Sequence, residues 1–147
     1  MKVNDILRAK GSDVATIGGE QTVAEALKQI VDRKVGSLVV VGKTGFPEGI
    51  LTERDIVRLA NDKGEGNWRA LPVKQVMTKN VIIGLPEDDV EYIMKLMTAN
   101  RFRHVPIMKE GKLAGLISIG DIIKSLLSDF EANNRYLTDY IANKYPC

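Results

Sequence analysis

Two short segments of the chain carry the same polar residues in the same order. Thr52 is followed three residues later by Asp55, and Ser118 is followed three residues later by Asp121. In both, an apolar run precedes the hydroxyl and another follows the carboxylate, which is typical of a strand that turns into a helix. There a hydroxyl and an Asp can cap the free N–H groups and complement the helix dipole. This structural role accounts equally well for either segment taken alone.

The same groups can instead bind a ligand. A helix N-terminus offers free N–H groups and positive potential to a phosphate. The hydroxyl adds a donor, and an Asp beside it can accept both hydrogens of a ribose 2′,3′-diol, as acidic residues do in dinucleotide sites. Arg54 can then pair with phosphate oxygens. Because these groups occur together twice, they indicate a site for the ribose and phosphate of a nucleotide.

The elements that must position these groups are also duplicated. Their spacing is 66 or 67 residues for the strands and the second helix, and the one-residue difference falls in a turn, where a duplicated fold tolerates it. Four pairs of segments match in order: VNDIL (3–7) with VKQVM (73–77), TVAEALKQIVDR (22–33) with DVEYIMKLMTAN (89–100), VGSLVVV (35–41) with FRHVPIM (102–108), and GILTERDIV (49–57) with GLISIGDII (115–123).

Each copy predicts a short strand, an amphipathic helix, an apolar strand, a turn, a second strand and a second helix. The short strands are expected at 14–17 and 81–84. The first amphipathic helix of each copy is preceded by a predicted capping box, Thr22 with Glu25 and Asp88 with Glu91.

The predicted fold class is α/β (α+β), with two β-α-β-β-α repeats packed about a pseudo-two-fold axis. The repeats span 1–60 and 73–127, and the polar, Gly-rich segment 61–72 is the predicted linker, in which Trp68 packs on the repeats or marks a partner surface. A long C-terminal helix is expected to extend through 128–147. Its apolar residues suggest that the protein forms a homodimer, and the pattern continues at Leu137, Tyr140 and Ile141.

The composition argues against several classes of protein. No apolar run approaches the roughly 20 residues of a membrane helix, so we expect a cytoplasmic protein without membrane contact. A net charge of +2 gives no support for nucleic-acid binding, and no RNA-binding aromatic signature accompanies the arginines near residue 102. The single cysteine, Cys147, and the single histidine, His104, predict neither a metal site nor a catalytic group. We expect His104 to face phosphate or water at a strand end.

The pattern V-x-x-(I/V)-(M/L), helix, (V/F)-x-x-(L/V)-x-(V/I), G-(I/L)-(L/I)-(T/S)-x-x-D resembles a tandem pair of cystathionine-β-synthase (CBS) domains, the Bateman module. The resemblance covers about residues 1–127, and GILTERDI and GKLAGLISIGDI are similar to segments of small stand-alone bacterial CBS-pair proteins. It implies clefts between the repeats that take AMP, ADP, ATP, S-adenosylmethionine or NAD, and it implies no required cofactor.

The resemblance also implies which residues form each cleft. In the first cleft, Arg54 and Arg103 supply positive charge, which favours more phosphate; in the second, Gly120 replaces Arg54, which favours a less charged ligand or none. Backbone groups of Ala15 and Ile82 would bind the adenine edge. The first set is Thr52, Arg54, Asp55, Ile82, Phe102, Arg103 and His104; the second is Lys10, Ala15, Gly36, Ser37, Ser118, Gly120 and Asp121.

These expectations combine into one functional hypothesis. The chain is expected to be a non-catalytic sensor of an adenine nucleotide that regulates an unidentified effector protein in trans. The alternative is a structural or protein-interaction module in which both Asp residues only cap helices and nucleotides have no effect. The two hypotheses differ in whether replacing Asp55 or Asp121 changes nucleotide affinity.

Overall fold

A computed structural model describes residues 1–141, with side chains described for residues 1–135. The side chains of Leu137, Tyr140 and Ile141, where the C-terminal apolar pattern was expected to continue, lie outside this part. The helices are α1 (Val3–Lys10), α2 (Val23–Arg33), α3 (Glu53–Lys63), α4 (Val90–Asn100) and α5 (Ile119–Ile141); the strands are β1 (Thr16–Gly18), β2 (Ser37–Val41), β3 (Pro47–Thr52), β4 (His104–Lys109) and β5 (Lys112–Ser118).

Each half contains an antiparallel hairpin followed by a helix. In the first half β2 pairs with β3, and β1 adds to β2 in parallel. In the second half β4 pairs with β5, with His104 opposite Ser118. Helices α2 and α4 precede the hairpins, and α3 and α5 follow them. The predicted α/β fold class with two repeats and a long terminal helix is confirmed.

The strand expected at 81–84 does not form. Within the described chain this segment meets β4 at one bridge, where Gly84 N–H donates to Pro106 O and Met108 N–H donates to Gly84 O, both at 2.9 Å. Extending this parallel ladder by two residues would require the N–H of residue 106 to donate to Ile82. Proline has no N–H, so the ladder stops there.

One of the two predicted capping boxes is correct. Glu25 N–H donates to Thr22 Oγ1 and Thr22 N–H donates to Glu25 Oε2, both at 3.2 Å. The box predicted for Asp88 is wrong, because Asp88 Oδ2 accepts from Leu85 N–H at 2.8 Å and closes the turn before α4. Asp89 is the N-cap residue, without a side-chain cap, and its carboxylate pairs with Lys2 at 2.8 Å.

The two halves exchange the segments that lead into them. Val3, Ile6 and Leu7 of α1 are buried in the core of the second half, beside residues of α4, β4 and β5. In return, Val73 is buried in the core of the first half, and Thr78 exchanges two backbone hydrogen bonds with Ile50 of β3. This reciprocal exchange relates the halves as a pseudo-two-fold axis does, and it makes each core depend on both repeats.

The segment between the halves is ordered against the first core. Helix α3 continues to Lys63, so the first residues of the expected 61–72 linker are helical. A 3₁₀ turn at Trp68–Ala70 follows, and the Trp68 indole packs against the first core, with the guanidinium of Arg69 5.6 Å from its ring centre. Of the two possibilities open for Trp68, the structure has the one in which it packs on the repeats.

Candidate functional site

The two Thr/Ser–Asp segments form capping boxes of the same geometry. Asp55 N–H donates to Thr52 Oγ1 at 3.2 Å, and Thr52 N–H donates to Asp55 Oδ2 at 3.0 Å. In the second half the corresponding distances between Ser118 and Asp121 are 3.1 and 2.8 Å. Both boxes lie where a strand ends and a helix begins, so each carboxylate sits beside the N–H groups of a first helical turn.

Each helix start is also hydrogen-bonded to the residue just before the first strand of its hairpin. Glu53 N–H donates to Gly36 O at 3.0 Å, and Ile119 N–H donates to Arg103 O at 2.9 Å. Gly36 and Arg103 therefore occupy equivalent places in the two halves. Because one has no side chain and the other has a guanidinium, the two helix starts differ in charge.

A cavity of about 430 Å³ opens beside the first helix start, between the two halves. Of the seven residues predicted for the first cleft, five line it; it also contains Gly36, which had been assigned to the second cleft. The lining residues are Gly36, Ile50, Thr52, Glu53, Arg54, Thr78, Val81, Arg101, Phe102, Arg103 and His104.

The other two residues of the first predicted set lie next to this cavity. Asp55 is hydrogen-bonded to Thr52, which lines the cavity, while Asp55 itself borders a smaller cavity on α3 together with Arg58 and Leu59. Ile82 is half-buried and follows Val81, a lining residue. The structure thus brings the first set into one region without placing every member on one surface.

Positive charge dominates the first cavity. Arg54, Arg101 and Arg103 are exposed around it, and Glu53 is the acidic residue among the described residues that line it. Arg101 ends helix α4 in the left-handed conformation with φ 57°, which turns the chain toward Phe102 and Arg103. Three guanidinium groups at one rim favour a ligand that carries phosphate.

His104 lies at the start of β4, within electrostatic reach of both helix starts. Burial lowers the pKa of its imidazole below the ordinary 6.5, and the positive charges of Lys10 and Arg103 lower it further, whereas the carboxylates of Asp121 and Asp55 oppose this change. The lowered pKa favours the neutral imidazole at pH 7. A neutral ring can donate one hydrogen bond to a ligand and accept another.

The second predicted set is only partly assembled. Lys10 Nζ donates to Asp121 Oδ2 at 2.7 Å and to Leu116 O at 2.6 Å, beside a cavity of about 490 Å³ between α1 and α5. Burial would raise the pKa of Asp121, but hydrogen bonds from Lys10 and Ser118 hold it below its ordinary value. Gly120 is exposed in the first turn of α5.

The remaining members of the second set lie in the first half. Ala15 is buried in the first core, and its carbonyl accepts from Val39 N–H at 2.9 Å. Ser37 is buried opposite Thr52 in the β2–β3 ladder, and Gly36 borders the first cavity. The structure therefore joins Lys10, Ser118 and Asp121 but not these three.

Several lining residues of the first cavity were not predicted. Ile50 and Glu53 flank the predicted Thr52, so the strand-to-helix turn itself was the signal for them. Thr78 and Val81 carry no residue-type signal; they reach the cavity because Thr78 pairs with Ile50 across the halves. Within the described residues, no group of three or more His, Cys, Asp or Glu side chains could hold a metal ion. None of the described helices has the length and apolar character needed to cross a membrane.

Comparison with known proteins identifies both repeats. The family model of the CBS domain matches residues 3–62 and 73–128. A mitochondrial CBS domain-containing protein of Arabidopsis thaliana, CBSX3, is 32% identical over 97% of this chain and 73% of its own length.

Solved structures share the fold. A CBS-domain protein from Burkholderia ambifaria, assigned to signal transduction, is 36% identical with a TM-score of 0.78, covering 88% of this chain and 96% of its own. The CBS domain pair of protein MJ0100, in complex with 5′-methylthioadenosine and S-adenosyl-L-methionine, has a TM-score of 0.74 over 88% of this chain and 98% of its own. At 22% identity, the second likeness concerns the fold alone.

Proposed function

The chain belongs to the CBS domain family, whose paired repeats are regulatory and signal-transduction modules, and on that premise we propose that it senses an adenosine-containing ligand. The ligand class comprises AMP, ADP, ATP, NAD and S-adenosylmethionine. The protein catalyses nothing, acts in the cytoplasm and regulates a separate effector protein. Binding of 5′-methylthioadenosine and S-adenosyl-L-methionine by the MJ0100 pair supports this class of ligand.

The observation that carries the proposal is the composition of the first cavity. Its volume of about 430 Å³ lies in the range of about 300–1,000 Å³ that small-molecule sites have. Thr52 and the N-terminus of α3 offer donors to a phosphate at one side, and Arg54, Arg101 and Arg103 offer charge. Phe102, Ile50 and Val81 supply apolar surface for an adenine ring. A purely structural turn needs no such combination.

Asp55 is the proposed ribose acceptor. Its Oδ2 accepts the Thr52 N–H and can accept a second hydrogen bond, so the two hydroxyls of a ribose would be received at Oδ1 and Oδ2. Backbone groups near Ile82 and Ala15 are proposed to bind the adenine edge. In the second cleft, Ser118, Gly120 and Asp121 occupy the equivalent helix start.

The test is a thermal-shift panel of AMP, ADP, ATP, NAD, NADP and S-adenosylmethionine on the full chain. A ligand present at one hundred times its dissociation constant stabilises the fold by about 2.7 kcal/mol, which raises the melting temperature by several degrees. We expect NADP to bind far worse than NAD, because its 2′-phosphate removes one donor and brings negative charge to Asp55.

The matched variants are Asp55→Ala and Glu25→Ala. Each removes the carboxylate of a capping box and so costs about 1 kcal/mol of stability, but Glu25 caps α2 and is not among the residues of either predicted cleft. The shift with nucleotide should vanish in Asp55→Ala and persist in Glu25→Ala. Equal shifts in both variants would contradict the role assigned to Asp55.

The second candidate function is a structural or protein-interaction module. It is favoured by one observation, that both Asp carboxylates already satisfy backbone N–H groups of their helix starts. It predicts that no compound of the panel shifts the melting temperature, in which case partner proteins would be the next subject.

We also propose that the protein is a homodimer formed through α5. Ile123, Leu126, Leu127 and Phe130 follow one another at helical spacing and are 41–67% exposed, which is unusual for large apolar side chains on a monomer. A two-fold pairing of this stripe with itself would bury it in an isologous interface.

A further inference from the structure

The two helix starts differ in what faces the carboxylate. Asp121 accepts the ammonium group of Lys10 at 2.7 Å, and the same ammonium donates to Leu116 O at 2.6 Å. These two acceptors hold the ammonium group in place. The side chains of Lys10 and Asp121 are 36% and 22% exposed, so the ion pair is partly shielded from water. Among the described side chains, Asp55 has no comparable ion pair.

The difference follows from the two lead-in segments. The first lead-in forms the eight-residue helix α1, which packs against the second half, and Lys10 is the last residue of this helix. The second lead-in forms only the 3₁₀ turn Val73–Gln75. At the spacing that relates Val3 to Val73, the residue matching Lys10 is Asn80, whose side chain has no charge.

The ion pair competes with a ligand for the same atoms. A ribose diol binds an Asp by donating its hydroxyl hydrogens to the carboxylate oxygens. At Asp121 one of these oxygens, Oδ2, already accepts two hydrogen bonds, from Ser118 N–H and from the Lys10 ammonium. Within the described chain, Asp55 Oδ2 accepts only that of Thr52 N–H. A diol at Asp55 can therefore reach both carboxylate oxygens, but at Asp121 the lysine holds the place of one hydroxyl. A charge-assisted hydrogen bond is stronger than one from a neutral hydroxyl, so the lysine holds the position against a diol.

We infer that the Lys10 side chain blocks the second cleft by binding Asp121, so that the chain binds one nucleotide, in the first cavity, rather than two. This inference rests on the proposed function of the first cavity. This role is the opposite of that of a lysine that binds the phosphate of a nucleotide, because removing Lys10 opens a site instead of weakening one. The second cleft then becomes available to a ribose only when the Lys10–Asp121 pair is broken.

The experiment is a calorimetric titration of the full chain with adenosine and, separately, with AMP. Adenosine has no phosphate, so loss of the Lys10 charge cannot weaken its binding by removing a phosphate contact. We expect one adenosine per wild-type chain and two per Lys10→Met chain, with second-site affinity at least tenfold higher in the variant. The added site should disappear again in Lys10→Met/Asp121→Asn.

Lys2→Met is the matched control. It removes a lysine that forms an ion pair of 2.8 Å with Asp89 in the same lead-in segment, and it changes the net charge equally. It should leave the number of sites at one.

The comparison of variant with wild type separates this inference from the proposed function. If Lys10→Met gains one site over wild type, the blocking role of Lys10 holds even where wild type binds none, and in that case only the first-cavity proposal fails. If Lys10→Met gains no site, or wild type already binds two, the inference is wrong whatever happens at the first cavity.

Discussion

Leu7 lies directly against the backbone of Gly115, so that a β-carbon added to this glycine would be 2.5 Å from Leu7 Cδ2. The second half repeats the relationship in reverse: a β-carbon at Gly49 would be 2.5 Å from the sulfur of Met77. Each glycine lies on the last strand of one half and receives an apolar side chain from the lead-in of the other. The exchange of lead-ins therefore depends on these two positions having no side chain.

Replacing Gly115 with alanine should destabilise the fold. The methyl group would overlap Leu7, and overpacking of this kind costs about 1–3 kcal/mol. Chemical unfolding should show the loss, and Leu7→Ala in the same chain should make Gly115→Ala less damaging, because it removes the overlapping atoms. Gly36→Ala is the control, since nothing lies within 4 Å of a β-carbon there. An unchanged unfolding free energy in Gly115→Ala would contradict the close packing.

Local patterns predicted the repeats because the same side chains do the same work in both halves. Thr22 with Glu25 and Thr52 with Asp55 carry all atoms of their capping boxes within four residues, so their spacing was a sufficient signal. The capping box predicted for Asp88 does not form, because Pro86 favours a turn before α4 in which the Asp88 carboxylate accepts from Leu85 N–H. The strand at 81–84 failed because the deciding residue, Pro106, belongs to another segment.

The placement of the site residues was harder to predict, because it depends on the exchange between halves. Gly36 was expected at the second cleft but borders the first, since its carbonyl accepts from Glu53 at the start of α3. Lys10 contacts Asp121 because α1 crosses to the second half. No spacing within either repeat contains this information.

The single imidazole of the chain should titrate below its ordinary pKa. Burial, helped by Lys10 and Arg103, depresses the pKa of His104 in the folded state, whereas in the unfolded chain it is near 6.5. The unfolded state therefore takes up a proton first as pH falls, and stability that is present above pH 6.5 is lost below it. Proton NMR of the one histidine ring should give the folded pKa directly. A value of 6.5 or higher without ligand would contradict the assignment.

His104→Gln provides the companion measurement. The variant lacks the titrating group, so its melting temperature should depend less on pH below about 6.5 than that of the wild type. A phosphorylated ligand in the first cavity should raise the pKa of His104 in the wild type, because negative charge favours the imidazolium form. Adenosine, which has no phosphate, should raise it less.

Arg103 should make binding depend on the number of phosphates. It lines the first cavity with Arg54 and Arg101, and losing one charge-assisted contact costs about 1.5–3 kcal/mol, or about 10- to 100-fold in affinity. Calorimetric titrations with AMP and adenosine should show that Arg103→Gln weakens AMP more than adenosine. Arg69→Gln, which removes an exposed arginine that contacts Trp68, should affect neither. Equal weakening of both ligands would exclude a phosphate contact.

The exposed stripe on α5 should govern the oligomeric state. Phe130 and Leu127 are 67% and 54% exposed, and a Glu at either position would bring two negative charges together across a two-fold interface. Sedimentation should show a dimer in the wild type and a monomer in Leu127→Glu/Phe130→Glu. Val57→Glu is the control, because Val57 is also 67% exposed but lies on α3. A dimer that persists in the double variant would place the interface elsewhere.

The exchange of Val3 and Val73 between cores also bears on how such a chain can arise. The core of a single repeat on its own lacks the lead-in of a second repeat, and its own lead-in has no core to pack into. Two separate copies can therefore complete each other's cores by exchanging lead-ins. Joining the copies into one gene then preserves every contact and requires only a connection as long as 61–72. Such a dimer of single repeats would have two identical sites, whereas in this chain the repeats differ at Lys10 and Arg103, whose equivalents in the other repeat are Asn80 and Gly36.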